Sequence, residues 1–183
     1  MFIDNDTKLR VNINSPYKGF SRLETPEQRA AANVVEIADP ARGDEQFYYN
    51  TEQNDAPYLV VTPKSVESIR EMLKSKVKAM RDQKEAEGFI YMTKPFDSDE
   101  RSVARITSAA LTAMAVGPTF TVDWTAADNS IVTLDQAAML GMPAALAMNA
   151  SALHSAAKAH KTAIDAADFE TLTTYDINAG WPV

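Results

Sequence analysis

The chain has 183 residues, 45% of them apolar and 23% charged, with a formal charge of -7 and a pI near 4.8. That length and balance describe a globular protein with room for one domain or two small ones, not a disordered chain. The acidity disfavours nucleic-acid partners, and the absence of cysteine excludes disulfides and thiolate metal sites.

No apolar run approaches the ~18 residues that span a bilayer, so no membrane partner is expected. Met1 to Asp6 lack the basic and apolar regions of a signal peptide, so ordinary export is not expected. The densest basic run, Lys74 to Lys84, is interspersed with Asp82 and followed by Glu85 and Glu87. It reads as a solvated helix face rather than a nucleic-acid footprint.

Residues 1–62 read as a β-rich docking domain. Asp4-Asn5-Asp6 suits a turn. Leu9, Val11 and Ile13 alternate with Arg10, Asn12 and Asn14, the period of a half-buried strand. Ser15 to Gly19 breaks that strand. Thr25 can cap a two-turn helix, with Pro26 in its first position and Gln28 completing a capping box. Further strands fall near residues 34–37, 47–49 and 58–61. Together these predict one small sheet whose apolar face needs a cover.

Residues 63–183 read as a helical domain with a β-hairpin, making the fold class α+β. A helix at about 65–87 follows Pro63, capped by Thr62 or Ser65. Its stripe is Val66, Ile69, Leu73 and Met80, widened by Met72 and Val77. So narrow a seam packs on one neighbouring helix or on copies of itself. Gly88 closes the helix. Phe89 to Met92 is a short strand and Lys94 to Asp99 a turn, with Asp97, Ser98 or Asp99 capping the next helix. That helix, about 99–116, is expected to bury Val103, Ile106, Ala110, Met114 or close equivalents and to stop at Gly117-Pro118. Phe120, Val122 and Trp124 then mirror Ser130, Val132 and Leu134 across the turn Ala126 to Asn129, a β-hairpin with one aromatic face.

The last helix, about 134–166, starts near Thr133 and contains Pro143, which predicts a kink or break near Gly141-Met142. Beyond it Leu146, Ala150, Leu153, Ala157, His160 and Ile164 recur at four- and three-residue steps, a coiled-coil-like seam of small side chains. Both long helices therefore carry stripes able to oligomerise.

No residue type in this chain forms a catalytic constellation. His154 and His160 are six apart on a helix and point to different faces, so they cannot share a metal as an i, i+4 pair would. His160 sits on the apolar seam, as a hydrogen-bonded core histidine or a pH-sensitive interface residue. Asp97, Asp99 and Glu100 lack the further ligands and central glycine of a calcium loop. No phosphate-binding glycine loop or nucleophile elbow is present. A carboxylate pair of glycosidase type could still lie among the 25 acidic residues, with Trp124 or Trp181 stacking on a sugar. Trp124 reads better as core, and Trp181 as a tack of the C-terminus onto the body or a partner. No catalytic, cofactor-binding or metal residues are assigned, no cofactor is expected, and the chain is not read as an enzyme. The candidate interface residues are Ile69, Leu73, Met80, Leu146, Leu153, His160, Ile164 and Trp181.

Several short motifs carry a family resemblance. They are Arg81-Asp82, Gly88-Phe89, Phe96-Asp97-Ser98-Asp99, Arg101-Ser102, Ile106 and Ala109-Ala110. Trp124-Thr125, Asp128-Asn129 and Thr133-Leu134 continue the series. The series is similar to a domain of unknown function found in tail genes of tailed bacteriophages and prophages. The ending Asp176 to Pro182 resembles that of such proteins and of tail-fibre assembly proteins. The resemblance covers about residues 76–183 and leaves the first 62 without a family signal. It implies a virion structural protein made in the host cytoplasm, a baseplate or tail-fibre attachment subunit. The implied partners are other tail proteins and further copies of the chain, as in a homo-oligomer such as a trimer. A tail-fibre assembly chaperone that does not stay in the virion is the alternative, and a small glycan-degrading enzyme the remote one. The family brings no catalytic residues.

Overall fold

The structure, a computed structural model, describes residues 1–182; Val183, the last residue of the expected helical domain, lies outside the described residues. The fold is α+β, 44% helix and 19% strand, with small antiparallel hairpins and a long C-terminal helix. The chain forms two compact units, Met1–Ile69 and Arg70–Val183.

In the first unit, β1 (Phe2–Asp4) opens the chain, α1 (Pro26–Ala31) follows, and β2 (Val34–Glu36) pairs antiparallel with β1, Phe2 opposite Glu36 and Asp4 opposite Val34. The α1 start is as its residues dictate. The Thr25 side chain accepts from the Gln28 amide, Gln28 reaches back to the Thr25 amide, and Pro26 sits in the first turn. β3 (Tyr48–Glu52) and β4 (Leu59–Pro63) make a second antiparallel pair. The strands thus form two separate two-stranded sheets, not the single sheet expected.

The expected strand at Leu9 to Ile13 does not form. Only Arg10 makes an isolated bridge, to Ile3, and Leu9 is exposed while Val11 is buried. Asp4 builds the turn that sets this segment beside β1. Its carboxylate is fully buried and accepts the amides of Asp6 at 2.8 Å and Thr7 at 3.3 Å, which turns the chain sharply back. The Tyr17 hydroxyl and the Lys18 ammonium, the latter at 2.9 Å, complete its partners. These contacts, the Tyr17 hydroxyl first, hold the Asp4 carboxyl far below the usual carboxylate range. Val11, Leu23, Ala32 and Val34 make the small apolar core around this anchor.

The second unit is built on α2 (Val66–Ala86), whose first turn spans the division between the units. The Ser65 hydroxyl caps it by accepting the Ser68 amide. β5 (Phe89–Tyr91) and β6 (Lys94–Phe96) form a hairpin; the segment from Lys94 to Phe96, expected as a turn, is a strand, and the turn is only Met92-Thr93, both at positive φ. Asp99 caps α3 (Glu100–Val116) through the amides of Arg101 and Ser102. α3 buries Ile106, Ala110 and Ala113, whereas Met114, expected in the core, is 66% exposed and Val103 half-buried.

β7 (Thr121–Thr125) and β8 (Ile131–Asp135) form the expected hairpin, with Val122 opposite Leu134 and Trp124 opposite Val132. α4 (Gln136–Ala166) begins two residues later than the sequence suggests. Thr133 and Leu134 belong to β8, and Asp135 is the cap, accepting the Ala138 amide at 2.8 Å. α4 continues through Pro143 without a break. A short α5 (Phe169–Thr173), capped by Asp168, buries Leu172 and was not expected. Phe89, Phe96, Phe120 and Leu134 of the hairpin region pack with Ile106 and Ala113 of α3 and Met139 and Met142 of α4. The two hairpins thus cover one side of an α3/α4 layer. They are joined by the Ala127 amide donating to the Pro95 carbonyl and by Lys94 meeting Asp128 at 3.1 Å.

Candidate functional site

The seam of α2 and that of the second half of α4 are turned toward each other within one chain. Lys74 meets Asp165 at 2.6 Å, the Arg70 guanidinium donates to the Ala167 carbonyl at 3.0 Å, and Glu85 meets His154 at 3.3 Å. As residue number rises along α2, the partner's number falls along α4, so the helices run antiparallel. Leu73, Val77, Leu153, Ala157 and Ile164 lie between these polar flanks and are buried, as is Ile69. Leu146, Met80 and Trp181 are half-buried. Side chains with so little open surface have little to offer another subunit; their stripes are filled by the chain itself.

His160 organises the C-terminus. Its Nε2 faces the Ala179 carbonyl at 2.9 Å and must donate there, which leaves Nδ1 to accept the Tyr175 hydroxyl at 2.9 Å in the neutral ring. Trp181 stacks on the imidazole, 5.2 Å between centroids, and its Nε1–H donates to the Ile177 carbonyl at 2.7 Å. Burial pushes the Tyr175 phenol up. The arrangement holds residues 175–181 against α4, the tack that the position of Trp181 suggested.

Trp124 is half-buried. It packs against the core and lines an open groove of about 470 Å³ with Asp97, Arg105 and Asp123. Asp123 already accepts the Thr133 hydroxyl at 2.6 Å. Asp128 serves the hairpin turn. The Ser130 hydroxyl, the Ser130 amide and Lys94 hold its carboxyl down to about 2. Among the described residues no three His, Asp or Glu side chains are grouped to hold a metal ion, and no helix is long and apolar enough to cross a membrane.

The surface that sequence periodicity missed is the outer side of the α3/α4 layer. On α3, Ala104, Thr107, Leu111 and Met114 recur at steps of three, four and three, and all are exposed. On α4, Leu140, Ala144, Ala147 and Ser151 recur at four, three and four, also exposed, with Met148 beside them at 73%. The helices are antiparallel, since Val103 shares a groove with Leu146 and Ala150 while Ala113 packs with Met139. Helical rotation at ~100° per residue then brings both stripes to the side opposite the hairpins. The available signal was charge: from Ile106 to Val116 and from Gln136 to Leu153 no residue is charged. Soluble helices ordinarily put charge on their open faces.

A family model for a domain of unknown function, DUF4376, matches residues 68–179. The chain belongs to the DUF4376 family. The DUF4376 region takes in α3, α4 and both hairpins, and so the whole uncharged face. No curated protein and no solved structure matches the chain.

Proposed function

We propose that this DUF4376 protein is a structural component of a bacteriophage tail, a baseplate or tail-fibre attachment subunit that works by binding other proteins. The observation that carries the assembly role is the exposed, uncharged face of α3 and α4; an open apolar patch on an otherwise charged protein is the usual mark of a docking surface. The tail assignment comes from the resemblance of residues 76–183 to tail-gene proteins, a stretch that overlaps the family match. In this reading the protein resides in the virion, its partners are baseplate and tail-fibre proteins, and it performs no chemistry.

Quantitative mass spectrometry of purified particles tests it. The protein is expected there in fixed ratio to known tail components. Absence from particles removes the structural reading. Co-purification with soluble fibre protein instead supports the assembly-chaperone reading, which the ending Asp176 to Pro182 favours. Release of sugar from host polysaccharide by the purified protein would replace both with an enzyme.

A further inference from the structure

We propose that the groove between α3 and β7 takes an extended peptide segment of another protein, which adds to the hairpin as a third strand. This is a different surface from the α3/α4 face, and it does not depend on the tail reading.

Hydrogen-bond direction along β7 leaves one edge free inside the groove. In an antiparallel ladder the backbone groups of successive residues point alternately toward the partner strand and away from it. The Ala126 amide donates across the hairpin to the Ser130 carbonyl at 2.9 Å. Trp124 and Val122, opposite Val132 and Leu134, therefore bond to β8, and the N–H and C=O groups of Thr121, Asp123 and Thr125 point outward. Ala127 follows the same alternation: its amide leaves the hairpin and donates to the Pro95 carbonyl of β6 at 2.9 Å. The edge thus already receives one extended segment at its turn end. β6 stops at Phe96, and among the described residues nothing takes up the outward backbone groups of Asp123 and Thr125. Backbone donors and acceptors in that alternation are satisfied together by another strand.

α3 supplies the second wall. It runs into β7 through the turn Gly117 to Phe120, so the two lie antiparallel, and Ser102, Arg105, Ala109 and Thr112 line the groove from one flank of the helix. β7 is about 17 Å long and Ser102 to Thr112 about 15 Å, so both walls fit roughly five residues of extended chain.

The side chains select the segment. Alternate residues of an added strand face opposite ways, and those turned inward meet Val122, Trp124 and Ala109, where apolar side chains fit. The Arg105 guanidinium lines the same groove without a partner among the described residues, whereas Arg10, Arg29, Arg42 and Arg81 are all paired. A carboxylate on the segment satisfies it. Asp97 and Asp123 also line the groove, two carboxylates against one guanidinium, which turns away a phosphate backbone. The occupant is therefore an extended peptide of alternating apolar residues with a single acid.

A displayed library of random heptapeptides, selected against the full chain, supplies the probe. An enriched peptide is synthesised and titrated into isotope-labelled protein observed by NMR. Enriched sequences are expected to alternate apolar residues and to carry one Asp or Glu. The bound peptide is expected to slow hydrogen exchange at the Asp123 and Thr125 amides at least about tenfold. Thr125→Pro deletes one outward N–H and leaves the β7/β8 ladder whole, as edge strands tolerate; the peptide's dissociation constant is expected to rise at least about tenfold. Arg105→Ala alters an exposed, unpaired side chain, so the fold is kept whatever the proline does. It is expected to weaken binding of the acidic peptide and to leave that of its Gln or Asn counterpart unchanged. No enrichment, binding that leaves the two amides unprotected, or an affinity that Arg105→Ala does not change overturns the proposal. Protection that rises with protein concentration in the absence of peptide gives the edge to a second copy and overturns it too. The tail reading survives each of these failures, because particle composition decides it separately.

Discussion

Truncating Leu153 separates two accounts of the long helices. Leu153 is 3% exposed and lies on the α4 seam facing α2. Removing three buried carbons from a leucine costs about 2–5 kcal/mol, less where neighbours can settle into the gap. An open groove touches Leu153 on one side, lined also by Phe89 and Asn149, so partial settling is expected and the cost should be about 3 kcal/mol. With a urea dependence of about 2 kcal/mol per molar, the midpoint of Leu153→Ala should fall by about 1.5 M. Met148→Ala, five residues away but on the open side, should change stability by no more than about 0.5 kcal/mol. Urea unfolding followed by circular dichroism at two protein concentrations tenfold apart measures both. The Leu153 loss should be the same at either concentration. If Leu153→Ala were neutral in dilute solution, or if its cost grew with concentration, the seam would be contacting another chain, and the antiparallel α2/α4 pairing would be wrong.

Acid should destabilise the protein only as the pH falls to the ordinary carboxylate values and below them. Asp128 is held down to about 2 by Ser130 and Lys94, and Asp4, Asp99 and Asp168 are also lowered, the last two by cap contacts to Ser102 and Thr171. A carboxyl lowered in the folded state contributes stability that is complete above its unfolded value of 3.8 and is lost as pH falls through the folded value. The urea midpoint should therefore be flat above about pH 5 and drop steadily between about pH 4 and pH 2; a flat profile there would refute these contacts. Gly88→Ala should cost about 3 kcal/mol in the same assay, because φ is +104° and the new Cβ would lie 2.5 Å from the Phe96 carbonyl oxygen. Gly19→Ala, also at positive φ but in open space, should cost only about 1 kcal/mol. Asp135→Ala should cost about 1 kcal/mol by uncapping α4, while Thr133→Ala should stay within roughly 0.5 kcal/mol; equal effects would place the helix start where the sequence alone suggested.

Features confined to a few neighbouring residues were legible. The capping box at Thr25 and Gln28, the acidic cap before α3, the glycine after α2 and the register of β7 with β8 all depend on contacts within one turn or one hairpin. Legibility failed where a partner distant in sequence decided. Leu9 to Ile13 has the alternation of a strand, but Val11 is drawn into a core with Leu23 and Val34 and only Arg10 bridges β1. Met114 is the more apolar side chain, yet Ala113 is the one buried, in a cluster that Phe120, Met139 and Met142 already fill with large side chains. Leu172 is fully buried on the five-residue α5, which is too short to show a periodicity.

By itself the sequence determined the α+β class, the positions of the three long helices, and the existence of apolar stripes along them. Tertiary structure alone decided what each stripe meets: the α2 and α4 seams face each other, and the uncharged rows on α3 and α4 stay open. The physical reason is that periodicity is a property of one helix, whereas burial belongs to a pair of surfaces. A helix can announce an apolar face, but only the packed chain says whether that face has been filled.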